Sequence, residues 1–229
     1  TNLSKNFDNI KSYHVPTAIK SSQLVTWVES HDTYANDSGE STAMTDEEIK
    51  NGWAIVASRK DSTPLYFNRP AGRKKLLGNM GDAGNDNWKD PDVVAINKFH
   101  EAMDTQDERV TKLSDNVIMI ERGTVSNASK KGVVIVNLGN TTYTFQNENI
   151  NLDNGNYNNC GTAGGSFTVI DSKISGTVEK GITVLYTDGT QESPVITPKV
   201  SIDKEDCSFT ETLNLKLSVQ NGNITNYSI

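Results

Sequence analysis

A histidine and an aspartate stand side by side at the end of a short apolar run, Leu24-Val25-Thr26-Trp27-Val28-Glu29-Ser30-His31-Asp32, and a polar stretch follows them. A strand that delivers a carboxylate and an imidazole to its C-terminal end is how a (β/α) barrel presents chemistry. Taken alone, His31-Asp32 is also compatible with a strand end whose Asp caps the next element. Glu29 could be paired with Asp32 as a second acid, but alternation along a strand sends the two to different faces unless the strand ends between them. Glu29 therefore reads as a structural residue of a barrel interior. Residues 81–90, Gly-Asp-Ala-Gly-Asn-Asp-Asn-Trp-Lys-Asp, are rich in oxygen ligands. They lack the spacing and the closing Glu of a calcium loop, so a solvated strand-to-helix loop is expected. His14 and His100 have no convergent partners and read as structural. Trp27, Trp53 and Phe99 read as core.

The elements that must hold His31-Asp32 alternate in type. Residues 24–29 read as a strand. Thr45-Asp46-Glu47-Glu48 is a capping box with Thr45 as N-cap. It opens a helix on which Ile49, Trp53, Val56 and Ala57 share a face. Residues 63–67 read as a second strand, stopped by Arg69-Pro70. Asp90-Pro91 then starts a second helix, carrying Val93, Ile96, Phe99 and Met103 at helical spacing. Strand, helix, strand, helix is the rhythm of a parallel sheet.

After about residue 107 the character changes to short β-rich runs: 117–121, 133–137, 142–145, 167–170, 173–178 and 182–186. Gly/Asn turn signals separate them, as in an antiparallel sandwich. Residues 187–194 read as a linker. Residues 195–201, 213–219 and 225–229 then read as strands of a further β-module. Pro198 confines the first of these to an edge, and about 35 residues bury too little surface to stand alone.

A net charge of −7 with 22% charged residues, and no large Lys/Arg cluster, argues against a nucleic-acid partner. No apolar run approaches the length of a membrane span, and no secretory signal stands at Thr1. Cys160 and Cys207 fall in different modules, without metal-ligand spacing, and read as two unrelated small residues.

Trp27-Val28-Glu29-Ser30-His31-Asp32-Thr33 resembles the fourth signature segment of glycoside hydrolase family 13, the α-amylase family. The likeness continues through nearly the whole chain and is closest to saccharifying α-amylases of the bacilli type. Residues 52–59 and 62–70 look like the seventh helix and eighth strand of that family's barrel, with Ser62 where the family usually has Gly. Residues 94–103 resemble the eighth helix. Residues 110–186 resemble the β-sandwich called domain C, and the tail from Val195 looks like the start of an Ig-like module.

The resemblance thus implies the C-terminal portion of a (β/α)8 TIM barrel over residues 1–107. An antiparallel β-sandwich follows over 108–186, then a linker over 187–194 and a truncated Ig-like accessory module over 195–229. It implies hydrolysis of internal α-1,4-glucosidic bonds of starch by a retaining mechanism in a secreted protein. Asp32 would be the transition-state-stabilising carboxylate, with His31 and Asn36 as substrate contacts; apart from the resemblance, the 81–90 loop, if it lies on the barrel's C-terminal face, offers Trp88 as a stacking platform for an outer sugar subsite. A retaining glycosidase also needs a nucleophile and a general acid about 5–5.5 Å apart. By resemblance those two, and the ligands of an expected Ca2+, lie upstream of Thr1. No metal is assigned to this chain, and no membrane partner is expected. The chain alone is expected to be catalytically incomplete, its partners being the α-glucan and the missing N-terminal part of the barrel. Other family activities, transglycosylation or debranching, remain open, as does a non-catalytic starch-associated spacer or binding fragment.

Overall fold

The computed structural model describes residues 19–35, 38–70, 83–187, 199–202 and 217–220. Strand β1 (Val25–Trp27) pairs in parallel with β2 (Thr63–Leu65), Val25 opposite Thr63 and Trp27 opposite Leu65. Two parallel strands require a crossover. It is made by the short helix α1 (His31–Ala35) and the longer α2 (Asp46–Ala57). The capping box at the start of α2 forms as expected. Thr45 Oγ1 accepts from the Glu48 amide at 3.2 Å, and Glu48 Oε2 accepts from the Thr45 amide at 2.8 Å. Helix α2 lies hard against the end of β1 because position 52 is glycine: a Cβ there would fall 2.8 Å from Val28 Cγ1. Its buried face carries Ile49, Trp53, Ala54 and Ala57. Val56, expected in that set, is only half-buried, and Ala54 takes its place. Trp27, expected in the core, is 49% exposed on the open side of β1.

Helix α3 (Pro91–Ala102) starts where Asp90-Pro91 predicts. The Asp90 side chain accepts from the Asp92 amide at 2.9 Å, and proline occupies the first turn, where its missing N–H costs nothing. Val93, Ile96, Phe99 and Met103 are all buried.

The rest of this unit is antiparallel sheet. Strands β3 (Glu108–Lys112), β4 (Val117–Arg122), β5 (Lys131–Asn137) and β12 (Gly181–Thr187) form one sheet in the order β12-β5-β4-β3. A second sheet has the order β7-β10-β9-β8, built from β7 (Glu148–Asn149), β8 (Gly155–Asn158), β9 (Ser166–Ile170) and β10 (Lys173–Ser175). A small pair joins β6 (Tyr143–Thr144) to β11 (Thr177–Val178). The run expected as one strand over 173–178 is broken at Gly176, whose φ of +141° ends β10. Strands β3, β7 and β8 have no counterpart in the sequence reading. They are short, rich in charged or Asn residues, and carry few apolar positions from which to read a period.

The central sheet is apolar on both faces, which explains why β4 and β5 read as continuous hydrophobic runs rather than alternating ones. Ile118, Ile120, Val134, Val136, Ile182 and Val184 face a core with Trp53, Ile96, Phe99 and Met103. Val117, Met119, Val133, Ile135 and Leu185 face the opposite core, with Phe145, Tyr157, Phe167 and Ile174. Helices, central sheet and second sheet thus form three layers within one compact unit, residues 1–192. Glycine at 132 sets the helix–sheet distance: a Cβ there would lie 2.6 Å from Phe99 Cε2.

A second unit, residues 193–229, contains β13 (Lys199–Ile202) paired antiparallel with β14 (Leu217–Gln220). The other tail strands expected from sequence, with Pro198 and Cys207, lie outside the described residues.

Candidate functional site

Strand β1 stops at Trp27, and after three intervening residues the chain enters α1, a five-residue turn that begins at His31 and carries Asp32 in its first turn. Ser30 and Thr33 fasten its start reciprocally. The Ser30 amide donates to Thr33 Oγ1 at 2.9 Å, and the Thr33 amide donates to Ser30 Oγ at 3.3 Å. The His31 and Asp32 side chains are 80% and 77% exposed, with His31 Nε2 3.3 Å from Asp32 Oδ1. An imidazole and a carboxylate at this spacing can hydrogen-bond the hydroxyls of a ligand together. Asn36 lies outside the described residues, as does His14.

Glu29 does not join the pair. Its side chain is 1% exposed, and a carboxylate so buried needs a cation. Arg69, just beyond β2, supplies one: its Nε and Nη2 donate to Glu29 Oε1 and Oε2 at 2.6 and 2.9 Å. The same guanidinium donates from Nη1 to the Met44 carbonyl at 2.8 Å and from Nη2 to the Ser41 carbonyl at 3.0 Å. It also lies 4.8 Å over the Tyr34 ring. Burial works against the charged guanidinium, but the Glu29 carboxylate outweighs it and raises the Arg69 pKa. In the sequence Arg69 reads only as part of a strand stop. The available signal was an acid assigned to an interior, which demands a partner.

A polar cleft of about 530 Å³ opens elsewhere, between the N-terminal turns of α2 and α3 and the loops near residues 163 and 180. Within it Lys50 bridges Asp90 and Asp92, at 3.2 and 2.9 Å. Asn51 Oδ1 is buried there without a hydrogen-bond partner. Burial opposes the Lys50 charge, yet the two carboxylates win and raise its pKa. In the described part of the 81–90 loop, Asp86 pairs with Lys89 at 2.9 Å and Asp90 caps α3, so these acids do not converge. Trp88 is 50% exposed, with Lys89 Nζ 5.1 Å from its ring centre. His100 holds the Ala57 carbonyl at 2.8 Å and is structural. Among the described residues no group of three His, Cys, Asp or Glu side chains could hold a metal ion. No helix among them is long and apolar enough to cross a membrane.

No family model matches the chain. Two relatives do. An α-amylase of Clostridium acetobutylicum is 43% identical over 170 residues, 73% of this chain and 20% of that protein. An α-amylase of Butyrivibrio fibrisolvens is 39% identical over 172 residues, 71% of this chain and 17% of that protein. The chain thus spans about a fifth of the length of these relatives. Among solved structures, the cyclic α-maltosyl-(1→6)-maltose hydrolase of Arthrobacter globiformis is 17% identical with a TM-score of 0.49. That match covers 81% of this chain and 38% of that one, a likeness too loose to bear on function. By sequence, this chain is a homologue of bacterial α-amylases, matched to one segment of them along nearly three quarters of its own length.

Proposed function

We propose that this chain is part of a family 13 α-amylase that hydrolyses internal α-1,4-glucosidic bonds of starch with retention of configuration. In this reading β1, α2, β2 and α3 are the last two β/α units of its barrel. The three-layer unit's sheets belong to domain C, and the tail begins an Ig-like accessory module. The observation that carries the reading is the exposed His31–Asp32 pair directly after a parallel strand, in a chain homologous to α-amylases.

Asp32 accepts hydrogen bonds from the hydroxyls of the sugar at the cleavage point. Those bonds strengthen as the ring flattens toward an oxocarbenium ion, which is how a fixed carboxylate lowers the barrier more than it tightens binding. His31 and Asn36 hold the same sugar. The nucleophile and general acid come from the remainder of the barrel, so the 229 residues alone release no reducing ends from soluble starch. The protein is secreted, and its calcium is bound by that remainder.

The test is Asp32→Asn in the active enzyme that carries this chain. Turnover on soluble starch should fall by a factor of about 100 to 1,000, with retention on a glucan affinity gel unchanged. Unchanged turnover would overturn the assignment.

A further inference from the structure

Asp32 and His31 touch each other and project into solvent, so the precision of their placement must come from behind, through the backbone that carries them. Three segments meet there. Thr33 is bound to the 41–42 segment: the Ser41 amide donates to the Thr33 carbonyl at 3.0 Å, and Ser41 Oγ donates to Thr33 Oγ1 at 3.2 Å. Thr42 Oγ1 donates to the Tyr34 carbonyl at 2.7 Å. Tyr34 is itself buried, its ring 5.9 Å from that of Phe67. Each of these segments returns to one guanidinium. Arg69 grips Glu29 three positions before Asp32, faces Tyr34 two positions after it, and holds the Ser41 and Met44 carbonyls.

A buried ion pair is a poor way to gain stability, since desolvation cancels most of the attraction. What a planar fork of donors does well is fix several acceptors in one geometry, which a lysine ammonium cannot. We infer that Glu29 and Arg69 are positioning residues for Asp32: the pair fixes the turn that presents Asp32 to the reacting sugar. The inference rests on the catalytic reading of Asp32 given above.

The experiment is a double-substitution cycle in the active enzyme that carries this chain: Arg69→Lys, Asp32→Asn and both together, with kcat and KM on soluble starch. Displacement of Asp32 by a fraction of an ångström should lower kcat about tenfold to a hundredfold for Arg69→Lys while KM moves less than about threefold. Adding Arg69→Lys to Asp32→Asn should then cost no further kcat, because the group being positioned is already disabled. A merely structural role predicts the opposite, the same proportional loss in both backgrounds, and that result overturns the inference. So does unchanged kcat in a folded Arg69→Lys protein. If Arg69→Lys fails to fold, Glu29→Gln, which keeps the shape of the side chain, is put through the same cycle with the same two outcomes. If Asp32→Asn alone leaves turnover intact, the catalytic reading falls and takes this inference with it. If Asp32→Asn lowers turnover as expected but the cycle is additive, only the positioning role falls.

Discussion

The carboxylate of Asp92, in the first turn of α3, accepts both the amide and the hydroxyl of Thr162, at 2.6 and 2.8 Å. The two residues stand seventy positions apart, and the contact ties the helix to a loop on the sheet side of the unit. Lys50 Nζ completes the cluster at 2.9 Å from Asp92.

Asp92→Ala should therefore do more than trim a helix cap. It strips a buried acceptor from two donors and leaves Lys50 with Asp90 alone. A loss of about 2–3 kcal/mol is expected from charge-assisted hydrogen bonds of this kind, read as a lower urea midpoint. Asp90→Ala, which removes a half-buried partner of Lys50 and the α3 cap, should cost nearer 1 kcal/mol.

Arg122 carries a second such tie. Its side chain is buried on β4 and donates to the Ser58 and Arg59 carbonyls, both at 3.1 Å, and to the Met103 carbonyl at 2.8 Å and the Gln106 carbonyl at 3.0 Å. One guanidinium thus closes the C-terminal ends of α2 and α3 together, where helices leave carbonyls unsatisfied. Desolvation lowers its pKa. Arg122→Met fills the space but orphans the carbonyls, and a loss of about 3 kcal/mol is expected in chemical denaturation.

Gly132→Ala tests the helix–sheet spacing. The added methyl meets Phe99 Cε2 at 2.6 Å, Tyr186 Cβ at 2.8 Å and Met103 Sδ at 3.2 Å. Overpacking of this sort costs about 1–3 kcal/mol, and the near-ultraviolet spectrum should change as Phe99 and Tyr186 shift. An unaltered melting temperature would mean that the helix can retreat without penalty.

Asp107 predicts a pH dependence. Burial pushes its carboxyl pKa up, but the Thr124 hydroxyl and the amides of Val125 and Thr124 outweigh that and bring it below the ordinary value. A carboxylate whose folded pKa is depressed contributes stability above its unfolded pKa, about 3.9, and loses it as pH falls through the lower folded value. Asp107→Asn should therefore be less stable than the parent at neutral pH. The difference should shrink below about pH 4, as followed by urea midpoints across a pH series.

The elements around the candidate site were legible because strong local signals agreed with one another. Thr45 and Glu48 announce α2, Asp90-Pro91 announces α3, and both helices carry their apolar residues at the right spacing. The central strands were legible as short β-rich runs between turn signals. What could not be read was relational. Arg69 follows a strand in sequence like any stop signal, and only the fold brings it to Glu29, forty positions away. Trp27 looks like core by type, yet its cover is not decided by its neighbours in sequence. Val56 and Ala54 exchanged roles because a helical face drawn from spacing alone does not say which edge meets the sheet.

A sheet with two apolar faces also constrains how this chain could be cut. A fragment beginning after residue 107 would keep the contacts among Val117, Met119, Phe145 and Phe167. It would turn Ile118, Ile120, Val134, Val136, Ile182 and Val184 out to water as one continuous patch. Such a fragment would self-associate rather than stay dispersed, so the helices act as a permanent solubilising lid for the strands beneath them.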